Sequence, residues 1–399
     1  MITFKVELER EDDGRWLAEV VELPGVLAYV ETQEAAPAAP MPDPVITCLE
    51  QVTPEWLTEV LTRNGALAQG AVAAFDVDTG RGNWSTNASL RVRYDEGAQG
   101  ARPRRLFLKL VNADLGDSES FDDSEVNYYT RDYAGVAGVP LVRCYAAAFS
   151  GALKRYHLLL DDLSETHVEA AAKAPTLEYG LALAEGLAVM HAHWWGAARL
   201  AQAGAAWHSA QHIRRFVEIA EPGAGHILQH LSDQLEPHWP ETIRTLYARH
   251  PAALLARARD AEGFSLIHGD TGVTNILVPR AGDRPIYLID RQPFDWSLTT
   301  WLGVYDLAYA LVLDWDVETR RRLERPVLQR YHRRLLEHGV SGYTWDRLWD
   351  DYRLSAAMGV YVATAYCRGG LNLRAQKWWL PKLQRSLTAC DDLDCRAQW

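Results

Sequence analysis

Between Ser265 and Asp290 a polar loop is bracketed by apolar runs, and no other segment limits the fold as tightly. Ser265-Leu266-Ile267 leads into His268-Gly269-Asp270-Thr271-Gly272-Val273-Thr274-Asn275, and Ile276-Leu277-Val278 follows at once. A second apolar run, Ile286 to Ile289, ends on Asp290. Short apolar runs bounded by turn residues read as buried strands. The loop and Asp290 therefore sit at strand ends, in a core that mixes strands with the helices around them.

The order of the other elements narrows the choice. Phe4, Val6 and Leu8 alternate with Lys5, Glu7 and Glu9, the period of a half-buried strand. Asp12-Asp13-Gly14 is a hairpin turn signal, and Trp16–Val21 and Val26–Val30 read as two further strands. Ala35 to Pro44 is a Pro/Ala stretch that continues neither helix nor sheet. Thr53-Pro54 caps a helix to about Arg63. Runs rich in strand formers follow at Ala71–Thr79, Ser85–Asp95 and Arg105–Asn112. A helix is expected over Ser118–Ala134, with strands near Leu141–Ala147 and Tyr156–Asp161. From Thr176 onward the chain reads mainly helical, interrupted near Phe264–Asp290. The fold class is thus α+β, a small β-rich lobe before a larger helical one. The division expected is a β extension over residues 1–36, a linker over 37–45, a first lobe over 46–162 and a helical lobe over 163–399.

Asp270, Asn275 and Asp290 supply a carboxylate to orient a hydroxyl and take its proton, plus an amide oxygen and a second carboxylate for magnesium against nucleotide phosphates. His268-Gly269-Asp270 with Asn275, followed by Asp290, resembles the motif pair of the aminoglycoside phosphotransferase, choline kinase and ecdysteroid-kinase-like superfamily. The resemblance covers roughly Val45–Trp399. It implies a two-lobed protein-kinase-like fold, ATP and Mg2+ as cofactors, and transfer of the γ-phosphoryl group to a small-molecule hydroxyl. Acceptors of the aminoglycoside, amino-alcohol, sugar and sterol-like kinds all stay open. Asp270 is then the catalytic base, and Asn275 and Asp290 are the metal ligands.

Lys109 stands alone in the apolar strand Leu106–Val111, where an unpaired charge is costly. The resemblance makes it the phosphate-binding lysine, paired with Glu125 of the next helix or, failing that, Glu119. Ser85 ends a Gly-containing turn where the superfamily covers the phosphates. Asp161 C=O and Leu163 N–H take the place of the adenine-binding hinge, which leaves the side chains of Asp161 and Asp162 to solvent. His268 is read as bracing the loop and Asp306 as supporting it; His191 and His193, two apart on a helix, share no face and so make a poor zinc pair, and are read as core residues. Arg291 stands where relatives carry an aromatic residue, and either pairs with an acidic neighbour or reaches the nucleotide.

Two further features bound the partners. The segments Glu11–Trp16, Ala18-Glu19, Glu22–Gly25 and Thr32–Ala35 resemble the start of HicB-type antitoxins, which leaves a nucleotide-binding pseudokinase or regulator with an antitoxin-derived start as the alternative. A formal charge of −12 with no basic block argues against a nucleic-acid partner. No apolar run reaches signal-peptide or membrane-span length, so no membrane partner is expected. Cys48, Cys144, Cys367, Cys390 and Cys395 are odd in number and form no CxxC pair, which fits a reducing, cytoplasmic setting.

Overall fold

The structure is a computed structural model. It describes all residues except 1–5, 11–15, 21–26, 31–44, 82–84, 117–119, 197, 199, 201–209 and 295. The chain divides into two compact units. One contains Met1–Arg131 and Val142–Asp162, the other Asp132–Leu141 and Leu163–Trp399.

In the first unit, β1 (Val6–Arg10), β2 (Trp16–Val20) and β3 (Leu27–Val30) form an antiparallel meander with Val6 opposite Val20 and Trp16 opposite Val30. Most of the antitoxin-like residues, and the Pro/Ala stretch as far as Pro44, lie outside the described residues. Helix α1 (Pro54–Arg63) starts where Pro54 fixes the first turn and the Thr53 hydroxyl accepts the Trp56 N–H at 3.2 Å.

The strands β4 (Leu67–Gln69) and β7 (Gln99–Gly100) pair as a short ribbon. Five others, β5 (Val72–Arg81), β6 (Ser85–Tyr94), β8 (Arg105–Asn112), β9 (Cys144–Ser150) and β10 (Arg155–Asp161), build an antiparallel sheet in the order β5-β6-β8-β10-β9. Side chains alternate between the two faces. Leu106, Leu108 and Leu110 therefore join Ala88, Leu90 and Val92 in one core with Leu57, Val60 and Leu61 of α1. Lys109 has the opposite parity and leaves that core.

The helix expected over Ser118–Ala134 is shorter. Asp122 accepts the Ser124 N–H at 2.9 Å and starts the helix α2 (Ser124–Asn127), which passes directly into a π-turn, Tyr128–Asp132. The strand expected near Leu141–Ala147 runs as Cys144–Ser150.

The second unit is mainly helical: α3 (Leu177–His193), α4 (Ala210–His230), α5 (Trp239–Arg257), α6 (Val304–Ala308), α7 (Val317–Glu337), α8 (Trp345–Ala365) and α9 (Gln376–Asp392). Helix α3 packs on α7, and α8 on α4 and α9. Two small β structures are set among them. Strands β11 (His167–Glu169), β13 (Ile276–Pro279) and β14 (Tyr287–Leu288) form one, and β12 (Phe264–Leu266) pairs with β15 (Thr300–Leu302) as the other. The polar loop Ile267–Asn275 runs from β12 to β13, so both its ends are fixed by strand pairing. Among the described residues, no helix is long and apolar enough to cross a membrane.

Candidate active site

The residues singled out in the sequence fall in two sets. Lys109, Glu125, Ser85 and Asp161 belong to the first unit; Leu163, Asp270, Asn275 and Asp290 belong to the second.

In the first unit the Lys109 ammonium donates to both carboxylate oxygens of Glu125, at 2.8 and 2.9 Å. The Tyr156 hydroxyl donates to Glu125 Oε2 at 2.5 Å. Glu125 is 1% exposed and Lys109 11%, so the pair is nearly dry, and the carboxylate is matched by donors as a buried charge requires. Glu119, the other candidate, lies outside the described residues. Lys109 pairs in register with Asn87 of β6, and the Ser85 hydroxyl, two residues along that strand, donates to Asn87 Oδ1 at 2.9 Å. Ser85 and Asn87 therefore flank Lys109 on one sheet face.

At the end of β10 the side chains differ from expectation. The Tyr145 hydroxyl donates to Asp161 at 2.5 Å, and Arg105 donates to Asp162 at 3.0 Å with the aspartate 3% exposed. Both acids are held by side-chain partners rather than left to water, because Arg105 and Tyr145 project from the neighbouring strands. The Leu163 carbonyl accepts the N–H groups of Thr166 and His167 at 2.9 and 2.8 Å.

In the second unit the loop is held from several sides. Asp306, fully buried at the start of α6, accepts the His268 N–H at 2.7 Å and the Gly269 N–H at 2.9 Å. His191 Nε2 donates to the same carboxylate at 3.1 Å, while its Nδ1 accepts from the Tyr331 hydroxyl at 2.8 Å. Burial alone would raise the Asp306 pKa, but the His191 bond, the nearby imidazoles and the Gly269 N–H outweigh it and hold the carboxyl below its usual range. Gly303 makes this packing possible. A Cβ there would lie 2.6 Å from the Tyr331 hydroxyl and 2.9 Å from His191 Nδ1. Gly269 takes a left-handed backbone, φ +82°, which turns the loop between His268 and Asp270.

His268 is buried, and burial lowers its pKa to about 4. A neutral ring fits its bonds: Nε2–H donates to the Ile289 carbonyl at 2.9 Å, and Nδ1 accepts the Asp270 N–H at 3.3 Å. It braces the loop, as its position suggested. Burial pushes Asp270 up to about 6, against a lowering by the Tyr309 hydroxyl that donates to its Oδ1 at 2.5 Å and by the Lys382 charge. Asn275 Nδ2 donates to the Asp270 carbonyl at 2.9 Å, which directs the amide oxygen elsewhere.

Asp290 has φ +57°, a left-handed conformation costly for most residues but open to aspartate. The flanking bonds hold it there. Ile289 N–H reaches the Asn275 carbonyl at 3.0 Å, and Gln292 N–H reaches the His268 carbonyl at 3.1 Å. Arg291, 3% exposed, donates from Nε to the Ile267 carbonyl at 3.2 Å and from a terminal nitrogen to Asp132 at 3.0 Å. Of the two roles open to Arg291, the structure gives the acidic partner, Asp132.

The oxygen donors of Asn275 and Asp290 fit a hard divalent cation that takes its other ligands from phosphates and water. Among the described residues, no cluster of three or more His, Cys, Asp or Glu is placed to hold a metal alone.

Sequence reasoning missed three side chains. Tyr309 and Asp314 are the first and last residues of a π-turn, Tyr309–Asp314, that continues α6. Asp314 Oδ2 accepts the Val273 N–H at 3.0 Å, and its other oxygen pairs with Lys382 of α9.

No family model matches the sequence, and no curated protein matches it either. Solved structures do. A choline kinase from Cryptosporidium parvum Iowa II superposes with a TM-score of 0.53 at 10% identity, over 86% of this chain and 97% of that one. A glucosamine kinase superposes with a TM-score of 0.50 at 14% identity, over 97% and 91%. At that identity the likeness speaks for the fold, which is a two-lobed protein-kinase-like fold with a β-rich first lobe and a helical second one.

Proposed function

We propose that this chain is a small-molecule kinase that moves the γ-phosphoryl group of ATP to an alcohol. The observation that carries the reading is Asp270: a carboxylate aimed by Tyr309, on a loop whose backbone Asp306 clamps at two consecutive N–H groups. A loop so fixed suits a reaction in which catalysis is mainly positioning and charge stabilisation.

In this reading Asp270 accepts the proton of the acceptor hydroxyl as its oxygen bonds to the γ-phosphorus, and ADP leaves. Asn275 and Asp290 would hold Mg2+, which when bound neutralises phosphate charge. Lys109, aimed by Glu125 and Tyr156, would bind the phosphates, with Ser85 as a further contact to them. The Asp161 carbonyl and the Leu163 N–H would receive adenine. The acceptor is a hydroxyl compound of the aminoglycoside, amino-alcohol, sugar or sterol-like kind.

The test is ATP consumption against a panel of these acceptors, with Asp270→Asn as control. We expect acceptor-dependent turnover that falls by about 1,000-fold in the variant, with Mg-ATP still bound. Turnover that survives Asp270→Asn rejects the assignment of the base. Binding of Mg-ATP without turnover on any acceptor points to a pseudokinase, and failure to bind Mg-ATP removes the reading altogether.

A further inference from the structure

We propose that Tyr309 is a positioning residue that selects which oxygen of Asp270 acts as base, and that the π-turn carrying it is the frame that holds it in place. The inference rests on the phosphoryl-transfer reading above.

The geometry begins with spacing. Tyr309 and Asp314 are five residues apart, which on an α-helix places two side chains roughly 140° apart. In a π-turn, whose bonds run from i to i+5, they return close to one face. Both reach the same loop: Tyr309 Oη donates to Asp270 Oδ1 at 2.5 Å, and Asp314 Oδ2 accepts the Val273 N–H at 3.0 Å. Gly272 sits between those two contacts. The point where a Cβ would stand on it is 3.5 Å from Asp314 Oδ2, 3.7 Å from the Tyr309 ring and 3.8 Å from Asp270 Oδ1. The turn thus grips residues 270–273 at both ends.

The far end is fixed in turn. Asp314 is 5% exposed and pairs with Lys382, which α9 presents, while Arg385 of the same helix donates to the Leu313 carbonyl at 3.0 Å. Two cations of α9 therefore tether the last two residues of the π-turn.

The chemical consequence concerns Asp270. Oδ1 is engaged by a phenol at charge-assisted distance, so Oδ2 is left to receive the acceptor's proton. The proton passes from the acceptor hydroxyl to Oδ2, the freed oxygen bonds to γ-phosphorus, and the bond from phosphorus to the ADP oxygen breaks. With Oδ1 untied, the carboxylate rotates about its terminal torsion, which is broad and two-fold, and the fraction of time spent aimed at the acceptor falls.

The test uses the full chain, Tyr309→Phe, with the acceptor that gives turnover in the panel or with water as acceptor in ATP hydrolysis. The expected result is a kcat lowered by about 10- to 100-fold, the scale of a misplaced reacting group. KM for ATP and the affinity for Mg-ADP should stay within about twofold of wild type. A merely structural role for the tyrosine would move affinity and kcat together, and that result overturns the proposal, as does an unchanged kcat. Should Tyr309→Phe melt early, Asp314→Ala releases the other end of the turn and is expected to lower kcat alone by a smaller factor. An unchanged kcat there rejects the framing role. A dead Asp270→Asn beside a normal Tyr309→Phe sinks this inference and spares the kinase reading. Turnover surviving in Asp270→Asn, or absent from the wild-type protein, sinks both.

Discussion

The two units hold their candidate residues in different ways. In the first, the arrangement rests on side chains: Lys109 donates to both carboxylate oxygens of Glu125, and the Tyr156 hydroxyl donates to the same carboxylate. In the second, it rests on backbone. The loop from Ile267 to Asn275 and the segment from Ile289 to Gln292 are tied to each other by main-chain bonds, then clamped by Asp306. In the kinase reading proposed above, the side-chain pair aims a charge that must adapt to a flexible nucleotide. A stitched backbone fixes donors and acceptors before any ligand arrives.

The sharpest way to break the contrast is at the clamp. Asp306→Ala leaves the His268 and Gly269 N–H groups and His191 without their shared acceptor, and we expect a loss of about 3 kcal/mol of stability. Chemical denaturation measures it. A loss below about 1 kcal/mol would mean that the stitched segments hold the loop without Asp306.

Lys109→Met should cost about 2 kcal/mol of nucleotide affinity, or ~30-fold, read by calorimetry with Mg-ADP. The single variant also strands buried Glu125. The double variant Lys109→Met with Glu125→Gln should regain thermal stability without regaining affinity. Recovery of both would show that the pair serves folding alone.

The smallest effect is at Asp270, the proposed base. Burial raises the Asp270 pKa to about 6, above its unfolded value near 4. The folded state therefore holds a proton that the unfolded state has released, and stability falls as pH rises through about 4 to 6. Since the carboxylate is only half-buried, the cost at neutral pH is about 1 kcal/mol after allowing for solvent. Asp270→Asn, which keeps an acceptor for Tyr309, should melt a few degrees higher than wild type at pH 7.5 and no higher at pH 4. Equal melting temperatures at both would show that the site is wetter than its packing suggests.

What could be read from the sequence follows the same divide. The loop was legible because its determinants are contiguous: apolar runs fix the strands, and the Asp270 to Asn275 spacing lies within one turn of chain. Thr53-Pro54 was legible for the same reason. Asp306 was found only through a resemblance. Tyr309 and Asp314 were not found, since their convergence depends on a π-turn, and one inserted residue per turn leaves no periodic mark in so short a segment. The partners of Arg291 and Lys382 were beyond reach, because each pairs with a residue remote in sequence that only tertiary packing brings near. The same holds for Arg105 and Tyr145, which claim the two acids at the end of β10.

The left-handed backbone of Asp290 has a practical consequence for anyone building an inactive form of this protein. Alanine at that position removes the carboxylate proposed as a metal ligand and also the short polar side chain that lets aspartate adopt this backbone, so lost activity and lost folding would be confounded. Asparagine and glycine accept the conformation. Asparagine keeps a weaker oxygen, glycine keeps none, and the pair makes a graded set of alleles in which the proposed metal binding would be dialled down while the chain path stays as it is.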